Sequence, residues 1–250
     1  DIRKSLLHCK EAGFNRSGGH MHRPDFACSN LDPLHSRDLR FLIEHFPEPG
    51  RNYEQIVEGL HRFPNTLESI LDSDYVALEI LQRRDELLDI SPFLLFNVLL
   101  RRTLGRPRGQ TDRSVINYLA NLLALFVHTD RVHRIARGDS EDYEYLFDLA
   151  AAVPDADSRR EFLLHSHIGN YSLYLTGMFP GWIEHRYRYK RRPVSVDYYV
   201  DMGRAHFQQA ARHPMAQEFS MDRVFFRLAL MFDSYRTGLQ HMARNFLVAG

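Results

Sequence analysis

The sequence predicts an all-α protein, a multi-helix bundle of roughly nine to eleven helices, on three observations. Apolar residues recur at three- and four-residue spacing, as in Ile56, Val57, Leu60 and Phe63. Ser, Thr, Asn and Asp precede such runs, and Pro or Gly follows them, at the spacing that helix caps require. Strand signals are scarce: Val/Ile/Thr runs of period two are missing, and no Asn-Gly or Asp-Gly joins two alternating segments.

Residues 1–35 are expected to form an irregular N-terminal arm after a short helix near residues 2–12. Gly13, Gly18, Gly19, Pro24 and Pro33 interrupt any longer apolar period there. Residues 36–250 read as a single helical domain. Ser36 caps a helix over Arg37–Phe46, which Pro47, Pro49 and Gly50 stop. Asn52 precedes a second over Tyr53–Phe63. Ser91-Pro92 opens Phe93–Leu104, apolar nearly all round and therefore expected at the centre of the core, with Gly105 closing it. The loop from Gly105 to Gln110 is the best place for an internal boundary. Thr111 starts Asp112–His128, and Phe96, Leu99, Leu119, Leu123 and Phe126 are the expected core. Ser140 starts a helix that Pro154 ends. Asp157 or Ser158 starts Arg159–Thr176, with Gly177 as its cap. Ser195 starts Val196–His213, stopped by Pro214, and Ser220 starts a long last helix to about Val248.

Composition narrows the function classes. Hydrophobic residues make up 44% and charged residues 26% of 250, as in an ordinary globular protein. Such a chain folds without needing a metal or a disulfide. Lys+Arg and Asp+Glu both count 32, so the formal net charge is zero. That argues against a surface coating nucleic acid throughout, and is compatible with a local basic patch. Lysine occurs only at Lys4, Lys10 and Lys190, a bias toward Arg that reads as the coding habit of a GC-rich bacterial genome. Cys9 and Cys28 suit free thiols in a reducing cytosol. The longest apolar blocks, Phe93–Leu100 and Leu122–Val127, are too short to span a bilayer, so a cytoplasmic protein without membrane insertion is expected.

Four constellations carry chemistry. Cys9, His20, His22 and Cys28 are zinc-type ligands, but their spacing is not that of the short Cys-x-x-Cys knuckles, and incidental residues on an irregular arm are the preferred reading. Glu58-x-x-His61, Asp130-x-x-His133 and Glu161-x-x-x-His165 each put two ligands on one helical face. A di-metal bundle needs two strict Glu-x-x-His pairs and two more Glu, and the chain has one such pair, so no metal site is assigned. The segment Glu161–Trp182 is the best small-ligand candidate. Glu161, His165, Gly169, Asn170 and Tyr174 combine polar groups with a helix-interior glycine, which leaves room for either a neighbouring helix or a ligand. Finally, Trp182, Arg186, Tyr187, Arg188, Arg191 and Arg192 form a basic-aromatic run; a solvated helix end with cations favoured by the dipole is the first reading, a protein partner the second, and nucleic acid or another polyanion the third. A second basic stretch, Arg101–Arg113, holds five Arg.

No nucleophile elbow, Walker loop or dinucleotide fingerprint is present, so catalytic residues and cofactors stay unassigned. The expected function is therefore a non-enzymatic helical interaction or regulatory protein. The alternative is a helical metal- or small-ligand-binding protein or enzyme using His and acidic residues.

Overall fold

The computed structural model describes residues 22–44, 64–83, 89–105, 107, 109–135, 146–189 and 194–247. Among them are thirteen α-helices and no strand. The first seven are α1 (Ser36–Glu44), α2 (Pro64–Leu71), α3 (Asp74–Gln82), α4 (Pro92–Leu104), α5 (Gln110–Phe126), α6 (Thr129–His133) and α7 (Leu146–Ala151). The rest are α8 (Ser158–Met178), α9 (Pro180–Tyr189), α10 (Val196–Arg212), α11 (Pro214–Glu218), α12 (Asp222–Leu230) and α13 (Phe232–Met242), which runs into a π-helical turn, Ala243–Leu247. The helices expected at residues 2–12 and 53–63, and the start expected at Ser140, lie outside the described residues.

Several predicted caps form as the local chemistry requires. The Ser91 side chain accepts from the Leu94 N–H, with Pro92 in the first turn of α4, and Gly105 follows at φ 84°. Asp157 accepts from the Arg160 N–H at the start of α8, and Ser195 from the Tyr198 N–H at the start of α10. Two expectations are corrected, at Gly177 and Ser220, and the stop at Pro214 has a second role. Gly177 is not a cap: α8 runs through it to Met178, because a Cβ there would stand 2.7 Å from the Leu239 side chain and the position serves close packing. Pro214 ends α10 but also starts α11, where the His213 ring accepts from the Met215 N–H. Ser220 does not open a long helix. It takes φ 58° after α11, the Ser220 N–H donates to the Gln217 carbonyl, and the Met221 N–H donates to the Ala216 carbonyl. That pair of bonds is a Schellman closure with serine at its left-handed position. The chain then breaks again at Met231, so the helix expected as one is α12 and α13. Short helices such as α6, α7 and α11 raise the count above the expected range.

Helix α8 is the axis of the molecule. Every residue from Phe162 to Leu173 is buried, and α10 and α13 pack on it, with α12 on α10 and α5 on α4. Glycines set the closest approach: a Cβ at Gly169 would stand 2.6 Å from the Phe207 ring, and one at Gly203 equally close to Phe232. Phe96, Leu99, Leu119, Leu123 and Phe126 are all buried. Helix α4 serves two apolar clusters. Phe93, Phe96, Leu99 and Leu100 face the main one, and Leu94 and Val98 face a second built from α1, α2 and α3. The helices flanking the Gly105–Gln110 loop pack against each other.

Buried polar groups tie these layers. Asp38 accepts from the backbone N–H of Ser91 at 2.6 Å and of His35 at 2.7 Å, joining α1 to α4. Arg101 meets Glu68 and Asp72 of the α2 region, and its Nε donates to Asn97 at 2.7 Å. The Asn117 amide donates to Glu68 at 3.1 Å and accepts from Asn97 at 2.7 Å. The described residues before α1, 22–35, dock on the helices. Phe26 and Ala27 enter the core, Arg23 donates to the Phe219 carbonyl at 2.9 Å, and Arg131 pairs with Asp25 at 2.7 Å.

Candidate functional site

Helix α8 brings some of its sequence-predicted residues together and separates others. Glu161 and His165 lie one turn apart, with His165 Nε2 3.7 Å from the Glu161 carboxylate. On its other side His165 Nδ1 lies 2.9 Å from Nδ1 of His206 on α10. One ring must donate and the other accept, so at least one imidazole is neutral. Burial lowers the pKa of both rings, that of His206 to about 4. His206 was not legible as part of this group, because it lies 41 residues away in sequence.

The remaining members of that set point elsewhere. Phe207 fills the space beside Gly169. Asn170 accepts a hydrogen bond from the Tyr118 hydroxyl at 2.8 Å. Tyr174 stands edge-on to Phe126 at 4.9 Å and to Phe179 at 5.4 Å. The arrangement can hold a shared proton between two rings and a carboxylate. Among the described residues no three His, Cys, Asp or Glu gather as a metal site would require. Cys9, His20, Glu58 and His61 lie outside the described residues. The His133 ring lies tilted against Tyr171 at 6.4 Å, His22 is exposed, and the Cys28 thiol donates to Asn30 at 3.1 Å. Burial pushes the Cys28 thiol up, which disfavours a thiolate nucleophile.

The basic-aromatic run forms α9, with Arg191 and Arg192 outside the described residues. Ile183 is its buried anchor. Around it Trp182 is 41% exposed and Tyr187 52%, and Phe179 just before the helix is 46% exposed. The Arg186 guanidinium lies over the Trp182 ring at 4.5 Å, a cation–π pair that presets both side chains. Arg188 is exposed.

One feature escaped sequence reading. A cleft of about 560 Å³ lies between α10 and α12, lined by Arg212, Arg223, Phe226, Arg227 and Leu230 among others. The available signal was the pair Phe226 and Leu230, one turn apart and on the side of α12 away from its buried residues. Reading residues 220–248 as one helix blurred that face.

No described helix is long and apolar enough to cross a membrane. Comparisons with protein-family models, curated proteins and solved structures found no significant match.

Proposed function

We propose that the chain is a non-enzymatic helical interaction protein that presents α9 to an acidic surface of a protein partner. The observation that carries this reading is the Trp182–Arg186 stack beside exposed Tyr187 and Phe179. Tyr, Trp and Arg are the residue types enriched where binding energy concentrates. A stacked pair has already lost part of the side-chain entropy that docking would cost. Charge gives the partner's sign. Residues 182–192 carry five cations, Arg186, Arg188, Lys190, Arg191 and Arg192, against one acid, Glu184. The buried Tyr118–Asn170 and Arg101–Asn97–Asn117 groups are paired among themselves and read as parts of the scaffold. With this reading we place the protein in a bacterial cytoplasm, consistent with its near-absence of lysine and its few cysteines.

The test begins with a photo-crosslinking residue at position 187, followed by purification of the captured partner and titration of the pair. Trp182→Ala or Tyr187→Ala is expected to weaken binding about tenfold or more, and more than Arg188→Gln does. A captured polyanion whose affinity follows the Arg count and salt alone would replace the reading with an electrostatic one. Absence of any purified partner sensitive to the aromatic changes would remove it.

A further inference from the structure

Helix α12 departs from ordinary amphipathic patterning. It buries Val224, Phe225, Leu228 and Ala229. Phe226 and Leu230 are nevertheless 60% and 61% exposed on its outer side. Leaving such side chains largely in water forgoes hydrophobic stabilisation that an apolar ligand could restore. Arg223 and Arg227 share that side at helical spacing. Gln208, Ala211 and Arg212 of α10 also line the cleft, with Thr111 of α5. The cleft is half open to solvent, and its volume, about 560 Å³, is in the range of small-molecule sites.

The charges select the occupant. Arg212, Arg223 and Arg227 line the cleft with one acid, Asp222. Arg227 is already paired with Asp112 at 3.3 Å. Arg212 and Arg223 have no carboxylate within 4.0 Å among the described residues. The local balance is therefore one net positive charge. A monoanion neutralises it, whereas a phosphate near its usual charge of about −2 would overshoot. Guanidinium groups match a carboxylate as a planar, two-point acceptor. Phe226, Leu230 and Ala211 supply the apolar wall.

We propose that this cleft binds a small amphiphilic monocarboxylate, its head held by Arg212 and Arg223 and its unbranched apolar chain laid over Phe226 and Leu230. The site is on other helices than α9 and does not depend on the partner reading.

Calorimetric titration of the full chain with octanoate tests it, with acetate (head alone), octanol (chain alone) and octyl phosphate as comparisons. Octanoate is expected to bind one per chain and more tightly than all three. Arg212→Gln and Arg223→Gln each should weaken it about tenfold or more, the effect of removing a charged hydrogen bond. Leu230→Asn should also weaken it, while Phe147→Ser, at an exposed phenyl on α7, should not. These positions are exposed, and matching circular dichroism spectra confirm that folding is retained. The proposal is overturned if octanoate does not bind the wild-type chain. It is equally overturned if acetate, octanol or octyl phosphate binds as tightly as octanoate, or if octanoate ignores both Arg changes.

Discussion

Arg101 is 4% exposed, the one buried arginine among the described residues. An unpaired charge in such a place costs several kcal/mol, and here Glu68 and Asp72 answer it directly. Arg113 adds a second cation 3.6 Å from Asp72, so the group is close to neutral as a whole. Arg101→Ala would leave both carboxylates facing a hole. It is expected to cost about 3–5 kcal/mol in urea denaturation, and a loss below about 1 kcal/mol would contradict the closed network. The sequence shows Arg101 as one of five Arg between residues 101 and 113, where a solvated basic face is the natural reading. Its acids come about thirty residues earlier, and no local pattern announces a pair at that distance. The same reason hides His206 from His165.

Helix starts were the most legible elements, because a capping side chain acts within three residues of itself. Ser91, Asp157 and Ser195 are of that kind. Serine before a helix can also do something else. Ser220 sits two residues before α12, yet its backbone closes α11 at φ 58°. A residue with a Cβ pays roughly 1–2 kcal/mol for that conformation, and glycine does not. Ser220→Gly is therefore expected to stabilise the fold by about 0.5–1 kcal/mol, the left-handed gain less the extra chain entropy of glycine. Thermal unfolding checks this, and a lower melting temperature would show that the Ser220 side chain contributes something beyond its backbone. Gly177 failed in the opposite direction. Its position suggested a stop, but the packing of Leu239 against α8 required a missing side chain there.

Across the described residues, burial holds several histidines in their neutral form. His167 and His206 both have their pKa values lowered to about 4, chiefly by burial. Arg131 and His133 add to the effect at His167, and His165 at His206. The unfolded chain binds these protons near pH 6.5, so between about 6.5 and about 4 it holds more protons than the folded one. Stability is expected to be independent of these groups above about pH 6.5 and to fall progressively as the pH drops toward 4. His167 alone accounts for on the order of 3 kcal/mol, and His167→Phe should flatten the profile measured by denaturation across that window. A wild-type profile flat to pH 4 would contradict the buried neutral rings. At this scale the all-α architecture and the exposed aromatic run were legible, because periodicity, caps and composition are local quantities. The α10–α12 cleft was not, since its walls come from segments distant in sequence that only tertiary packing brings together. The central claim, that α9 recognises a partner without holding the fold together, is tested most directly by one paired measurement on Trp182→Ala. Its unfolding free energy should stay within about 0.5 kcal/mol of wild type while affinity for the purified partner falls about tenfold or more. Unchanged affinity, or a weakening that merely follows a loss of stability, would contradict it.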